Sequence, residues 1–224
     1  MRTALLRLTI LGLILSAAVT DARKSESESQ VVTLGHNMDF EVGEFVDRWA
    51  KQVPARDLVG SHLAEEASWW GDSSAFCGAE KGIEPLSGLR MLRFTDTGGG
   101  CGGDVFQDFD LSANAQHIDS NEATFEVSAW FCRAQGRDSE ASYHMAVYFH
   151  ADGENRLGTW NSRSLDFIQP GVWVKASSGA LPIPSHTRTI RLRLFSWGEC
   201  GTGAYDGSYL DLVDATLDLH GQRE

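Results

Sequence analysis

From Gly88 onward, apolar and polar positions alternate with a period of two, the mark of strands with one buried face. Leu92 and Phe94 flank Arg93. Val105, Gln107, Phe109 and Leu111 alternate with Phe106, Asp108 and Asp110. Phe125, Val127, Ala129 and Phe131 alternate with Glu126, Ser128 and Trp130. Tyr143, Met145, Val147 and Phe149 alternate with His144, Ala146, Tyr148 and His150. Ile190, Leu192 and Leu194 alternate with Arg191, Arg193 and Phe195, and Val213, Ala215, Leu217 and Leu219 with Asp214, Thr216 and Asp218. Gly, Asn, Asp, Ser and Pro fill the gaps between runs. Helical periodicity never exceeds two turns, although 44–51 and 63–70 each admit a short helix. There is no internal repeat. Many short strands in one chain predict an all-β fold, an antiparallel β-sandwich.

The start of the chain breaks this pattern. Arg2 and Arg7 precede an apolar run from Leu8 to Val19, followed by small residues to Ala22. This is the composition of a secretory signal peptide, residues 1–22. The run is shorter than the roughly 20 residues that span a bilayer. Residues 23–32, RKSESES and its flank, read as a disordered spacer. Residues 33–222 suit a single β-sandwich domain with a full core. With no other apolar segment and no cysteine at the cut, the expected location is secreted or periplasmic.

Charge narrows the partners. The formal net charge is −12, from 31 acidic against 19 basic residues. Such a surface repels nucleic acid and anionic lipid and mildly favours neutral ligands or cations. The four cysteines, Cys77, Cys101, Cys132 and Cys200, form no C-x-x-C pair, which in an exported chain favours two disulfides. If the strands run up and down, loop 95–104, loop 132–142 and the turn after Trp197 share one end. That favours Cys77–Cys101 with Cys132–Cys200 and leaves the other pairings open.

TDTGGGCGGDVF, Thr95 to Phe106, invites comparison with a phosphate loop. Such a loop needs a following helix and usually a Lys-Ser/Thr pair. Here a strand pattern follows and no lysine is present. The glycines are therefore read as supplying positive φ at a wide hairpin end.

Candidate chemistry lies on the positions out of phase with the core. They are Trp130 with Glu126, Tyr148 with His144 and His150, and Arg191, Arg193, Phe195 and Trp197. Solvated strands usually show Thr, Lys, Ser or Glu there. Rings interleaved with charged groups suit a sugar, whose C–H face stacks on an aromatic plane while its hydroxyls pair with charges. The competing reading is that segment 50–87 covers this face, or that it is itself the inter-sheet core. Trp69 and Trp70 point opposite ways in an extended chain, so one core can take only one of them. G-x-S-x-G and H-E-x-x-H are both absent, the seven histidines are scattered, and no acid pair stands out. The expected role is non-catalytic.

HNMDFEVGEFVDRW resembles the N-x-D-F-E … W opening of carbohydrate-binding modules attached to bacterial cellulases and xylanases, through Asn37, Asp39, Phe40, Glu41 and Trp49. PLSGLRMLRF, DVFQDFDL, LPIPSHTRTIRLRL and YLDLVDATLDL are similar, in order, to four further strands of that family. Leu212 departs from its second closing Asp. The resemblance implies a galactose-binding-like jelly roll with its first and last strands adjacent. It also implies a structural Ca²⁺ held by Glu41 and Asp211 with Asp39. Asp211 is in phase with Val213 and so is expected on the core side. The resulting expectation is a secreted glycan-binding protein. A polysaccharide hydrolase or lyase on the same scaffold, or a surface protein-interaction module, are the alternatives.

Overall fold

The computed structural model describes residues 30–35, 37–42, 46–47, 69–72, 74–95, 102–134, 141–166, 168–198 and 207–219. In chain order the strands are β1 (Gln30–Thr33), β2 (Val46–Asp47), β3 (Trp70–Asp72), β4 (Ser74–Cys77), β5 (Met91–Phe94) and β6 (Gly102–Asp110). A short helix α1 (Ala115–Asp119) precedes β7 (Ala123–Arg133), β8 (Ser142–His150), β9 (Arg156–Asn161), β10 (Val174–Ser177), β11 (Leu181–Pro182), β12 (Thr189–Trp197) and β13 (Ser208–Leu219).

The strands form two layers. One runs β10-β7-β13-β5-β4, with β1 added to β13 and β11 to β7. The other runs β2-β3-β6-β12-β8-β9. Among the described residues all strand pairings are antiparallel except β2 with β3. The first and last strands are adjacent, as the family resemblance implies. The galactose-binding-like jelly-roll sandwich expected from the sequence is the fold observed.

The core lies between the layers, and the alternating residues fill it. Phe125, Val127, Ala129 and Phe131 of β7 meet Met145 and Val147 of β8 and Ile190, Leu192 and Leu194 of β12, all fully buried. Trp69 joins them and donates its indole N–H to the Asn37 carbonyl at 2.9 Å. At one end the layers are tied by a 2.9 Å hydrogen bond between the buried Tyr143 and Ser208 hydroxyls.

Several sequence expectations change. Residues 30–32, assigned to the spacer, belong to β1, an exposed strand that completes one edge of β13. Val46–Asp47, inside the first expected helix, is strand. Trp70, at the end of the second, opens β3. Trp69, just before it, is not helical either. Residues 44–45, 48–51 and 63–68 of the expected helices, and the signal peptide 1–22, lie outside the described residues. β5 and β6 sit in different layers, so they are not the two arms of the expected hairpin. Gly102 shows one need for glycine there: a Cβ would fall 2.2 Å from the Ser196 carbonyl oxygen of β12.

The expected disulfides are not formed at their described ends, because Cys77 and Cys132 are free thiols. Cys101 and Cys200 lie outside the described residues. Cys77 and Cys132 share a small cluster on the outer side of the first layer with Ile83, Met91, Ala134 and Tyr209. They stand on β4 and β7, three strand spacings of about 4.8 Å apart. That exceeds the roughly 7 Å Cα reach of a disulfide. Burial pushes the Cys77 thiol up to about 12 and the Cys132 thiol to about 11.

Asp211 does not face the core. Pairing of β13 with β7 shifts between Asp211 and Asp214, and Leu212 takes a φ of 44°. The extra residue is a β-bulge, which reverses the phase of the strand. Asp211 therefore turns to the outer side, fully buried beneath segment 84–90. Leu86 and Ser87 donate their N–H groups to its Oδ2 at 2.7 and 3.1 Å, and Leu212 donates to Oδ1 at 2.7 Å. Glu41 holds the same segment, its Oε1 accepting the N–H groups of Leu89 and Arg90, both at 2.8 Å.

These bonds give a test. Asp211→Ala leaves three N–H donors without an acceptor and is expected to cost about 2–4 kcal/mol. Asp214→Ala, exposed on the same strand, should stay within about 0.5 kcal/mol of the parent. Urea denaturation of both variants measures the difference.

Candidate functional site: the outer face of the second layer

Strand register lays out this face in rows. Trp70, Phe106, Arg193 and Ala146 lie side by side across β3, β6, β12 and β8. Asp72, Asp104, Phe195 and His144 form the next row. On the other side come Asp108, Arg191, Tyr148 and Thr159, then Asp110, Thr189, His150 and Arg156. β12 carries the arrangement because its inward Ile190, Leu192 and Leu194 leave Arg191, Arg193 and Phe195 no direction but outward.

Rings and guanidinium groups interleave along these rows. Trp70 stacks on Phe106 at 4.5 Å and 16°, with Arg191 5.2 Å from the indole centroid. Arg193 lies 4.3 Å from the Phe195 centroid and 5.7 Å from that of Phe106. Phe195 in turn stacks on His144 at 4.7 Å and 11°. Each cation–π contact of this kind contributes on the order of 0.5–2 kcal/mol, more when desolvated.

Carboxylates on β6 fix the arginines. Asp108 accepts Arg191 through both oxygens, at 2.7 and 3.1 Å. Asp104 Oδ2 accepts two donors of Arg193, at 3.0 and 2.6 Å, and Arg193 also bonds the Tyr148 hydroxyl. Forked pairing sets the plane of each guanidinium as well as its position. Beside them opens a cleft of about 270 Å³ lined by Phe106, Tyr148, His150, Arg156, Arg191 and Arg193. This approaches the roughly 300 Å³ at which small-ligand sites begin.

Five of the seven expected binding residues share this face: Tyr148, Arg191, Arg193, Phe195 and, half exposed at the strand end, Trp197. Trp130 and Glu126 do not. They project from β7 on the outer side of the other layer, where Lys175 lies 6.0 Å from the Trp130 ring and Ser177 donates to Glu126. Equal phase within a strand says nothing about which layer the strand joins. Trp70 was singled out with Trp69 as a pair of which one core takes only one: Trp69 joins the core and Trp70 stacks on this face. Phe106, Asp104, Asp108 and Arg156 were not singled out by sequence. Phe106 and Asp108 carried a signal, as out-of-phase partners of a recognised strand.

The expected calcium ligands come together only in part. Glu41 and Asp211 both hold segment 84–90, whereas the Asp39 carboxylate accepts the N–H of Glu41, at 3.4 Å. Among the described residues no three His, Cys, Asp or Glu side chains group as a metal site would require. The backbone groups bonded to the two carboxylates are N–H donors, not the carbonyl oxygens calcium takes. The donor set at this point does not fit the ion.

No family model matches the chain, and no curated protein does. Solved structures do. A cyclase from Fischerella sp. TAU superposes with a TM-score of 0.53 at 11% identity, over 86% of this chain and 100% of that one. The shared feature is the fold. A xylan-binding domain of the CBM22 type gives a TM-score of 0.46 at 12% identity, covering 69% and 88% of the two chains. The carbohydrate-binding module CBM61, in complex with β-1,4-galactotriose, gives 0.41 at 14%, covering 66% and 85%.

Burial holds the His144 imidazole below its usual range, so the folded state resists its protonation. A histidine with a depressed folded pKa loses its contribution to stability as pH falls through the unfolded value of about 6.5. The fall in Tm between pH 7.5 and 5.5 should therefore be larger in the parent than in His144→Gln. Equal falls in both would contradict this reading.

Proposed function

We infer that the protein binds a glycan across the outer face of the second layer. The observation that carries this reading is the ring-and-guanidinium array beside the cleft. It presents flat apolar surfaces and fixed donors together, as sugar stacking requires. Phe195 and Tyr148 offer the planes, and Arg191 and Arg193 the donors. The site is shallow, so affinity should be modest and should depend on preorganisation more than on buried area. With the leader expected at 1–22, this would be an exported, non-catalytic binding protein.

One observation favours a second reading, catalysis on the same face. Asp72 and Asp104 stand directly opposite one another in the β3–β6 ladder, an arrangement that like charges otherwise disfavour. Facing carboxylates are the equipment of glycoside hydrolysis. This reading requires turnover of soluble polysaccharide that Asp104→Asn abolishes.

Glycan-array binding tests the first reading. Phe195→Ala and Tyr148→Ala are each expected to lower affinity at least tenfold, about 1.4 kcal/mol. Trp130→Ala, on the opposite layer, should change nothing. Loss of binding in Trp130→Ala with retention in Phe195→Ala would move the site to the other layer.

A further inference from the structure

The geometry points to an acidic glycan as the ligand of this cleft, one whose sugar carries a carboxylate or sulfate. The inference rests on the glycan-binding reading and sharpens it. The chain as a whole carries −12, which taken alone argues for a neutral ligand. The cleft reverses the local sign: its lining contains Arg156, Arg191 and Arg193 and no carboxylate. Asp104 and Asp108, which pair with two of these arginines, reach them from β6 and do not line the cleft.

The three arginines play different parts. Arg191 and Arg193 are fixed by their ion pairs and keep further N–H donors, since each guanidinium carries five. Arg156 is exposed, lies 5.8 Å from the Tyr148 ring, and has no carboxylate partner among the described residues. It is the uncompensated cation of the cleft. A neutral sugar would leave that charge unmatched. A ring stacked on Tyr148 or Phe106, with an anionic substituent between Arg156 and the β12 arginines, would match it with charge-assisted bonds. Hydroxyls of the same ring would meet the remaining guanidinium donors.

The test compares ligands that differ only in charge. Binding of oligogalacturonate, its neutral methyl ester and a sulfated galactan oligosaccharide is measured by calorimetry at 50 and 500 mM NaCl, with a single-stranded oligonucleotide as competitor. The expected result is at least a tenfold preference for one or both acidic sugars over the ester, weakened at the higher salt. Arg156→Gln, an exposed change that should leave Tm unaltered, is expected to remove most of that preference, and Arg156→Lys to retain part of it. Equal affinity for acid and ester would overturn the acidic-ligand inference while leaving glycan binding in place. Binding of no saccharide at all would overturn both. An undiminished preference in Arg156→Gln, or tighter binding of the oligonucleotide than of any sugar, would also overturn it.

Discussion

The register of β12 is the constraint on which this molecule depends. Nine residues pair without a break to β6 on one side and to β8 on the other. Because side chains alternate at each residue, a slip by one would turn Arg191 and Arg193 into the core and Leu192 and Leu194 into water. Burying two charges without partners costs far more than the pairing itself gains. The same apolar packing that closes the sandwich therefore fixes the order of charged and aromatic groups on its outer face. Core and site are two sides of one strand.

That coupling explains the density of ion pairs on the face. An arginine on a central strand is crowded by neighbours and loses much of its hydration. Asp104 and Asp108, from the adjacent β6, supply the compensating charge at hydrogen-bond distance. Stacking on Trp70, Phe106 and Phe195 covers the guanidinium planes that the carboxylates leave open. The result is a surface whose donors are set before any ligand arrives. Little conformational entropy remains to be lost on binding.

The sequence showed the fold because alternation is a local property: β6, β7, β8 and β12 each carry an unbroken run of it, and β13 does so from Val213 onward. It showed half of the site for the same reason: phase tells which residues leave the core. It did not show which layer a strand joins, so Trp130 on β7 and Phe195 on β12 looked like neighbours. Nor did it show Asp211 turning outward, because one extra residue at Leu212 reverses the phase and leaves no mark in hydrophobicity. The glycine segment misled similarly. Its composition suits a wide hairpin end, but whether its flanking strands pair depends on the rest of the sandwich. Short strands such as β3, β4 and β10 have too few residues to display a period at all.

An acidic protein with an arginine-lined cleft sets two electrostatic ranges against each other. At physiological ionic strength fields fade over about 8 Å, so the overall charge acts on an approaching ligand only near the surface. There it slows the encounter of anions and discourages nonspecific adsorption to polyanions. Inside the cleft the distances are those of hydrogen bonds, and the dielectric is lower than in water, so the arginines dominate. Selectivity then comes from contact geometry, and a long uniform polyanion gains nothing outside the cleft. On the acidic-glycan reading proposed above, such a surface would discriminate by the position of a single charge on a ring, which bulk composition could not have foretold.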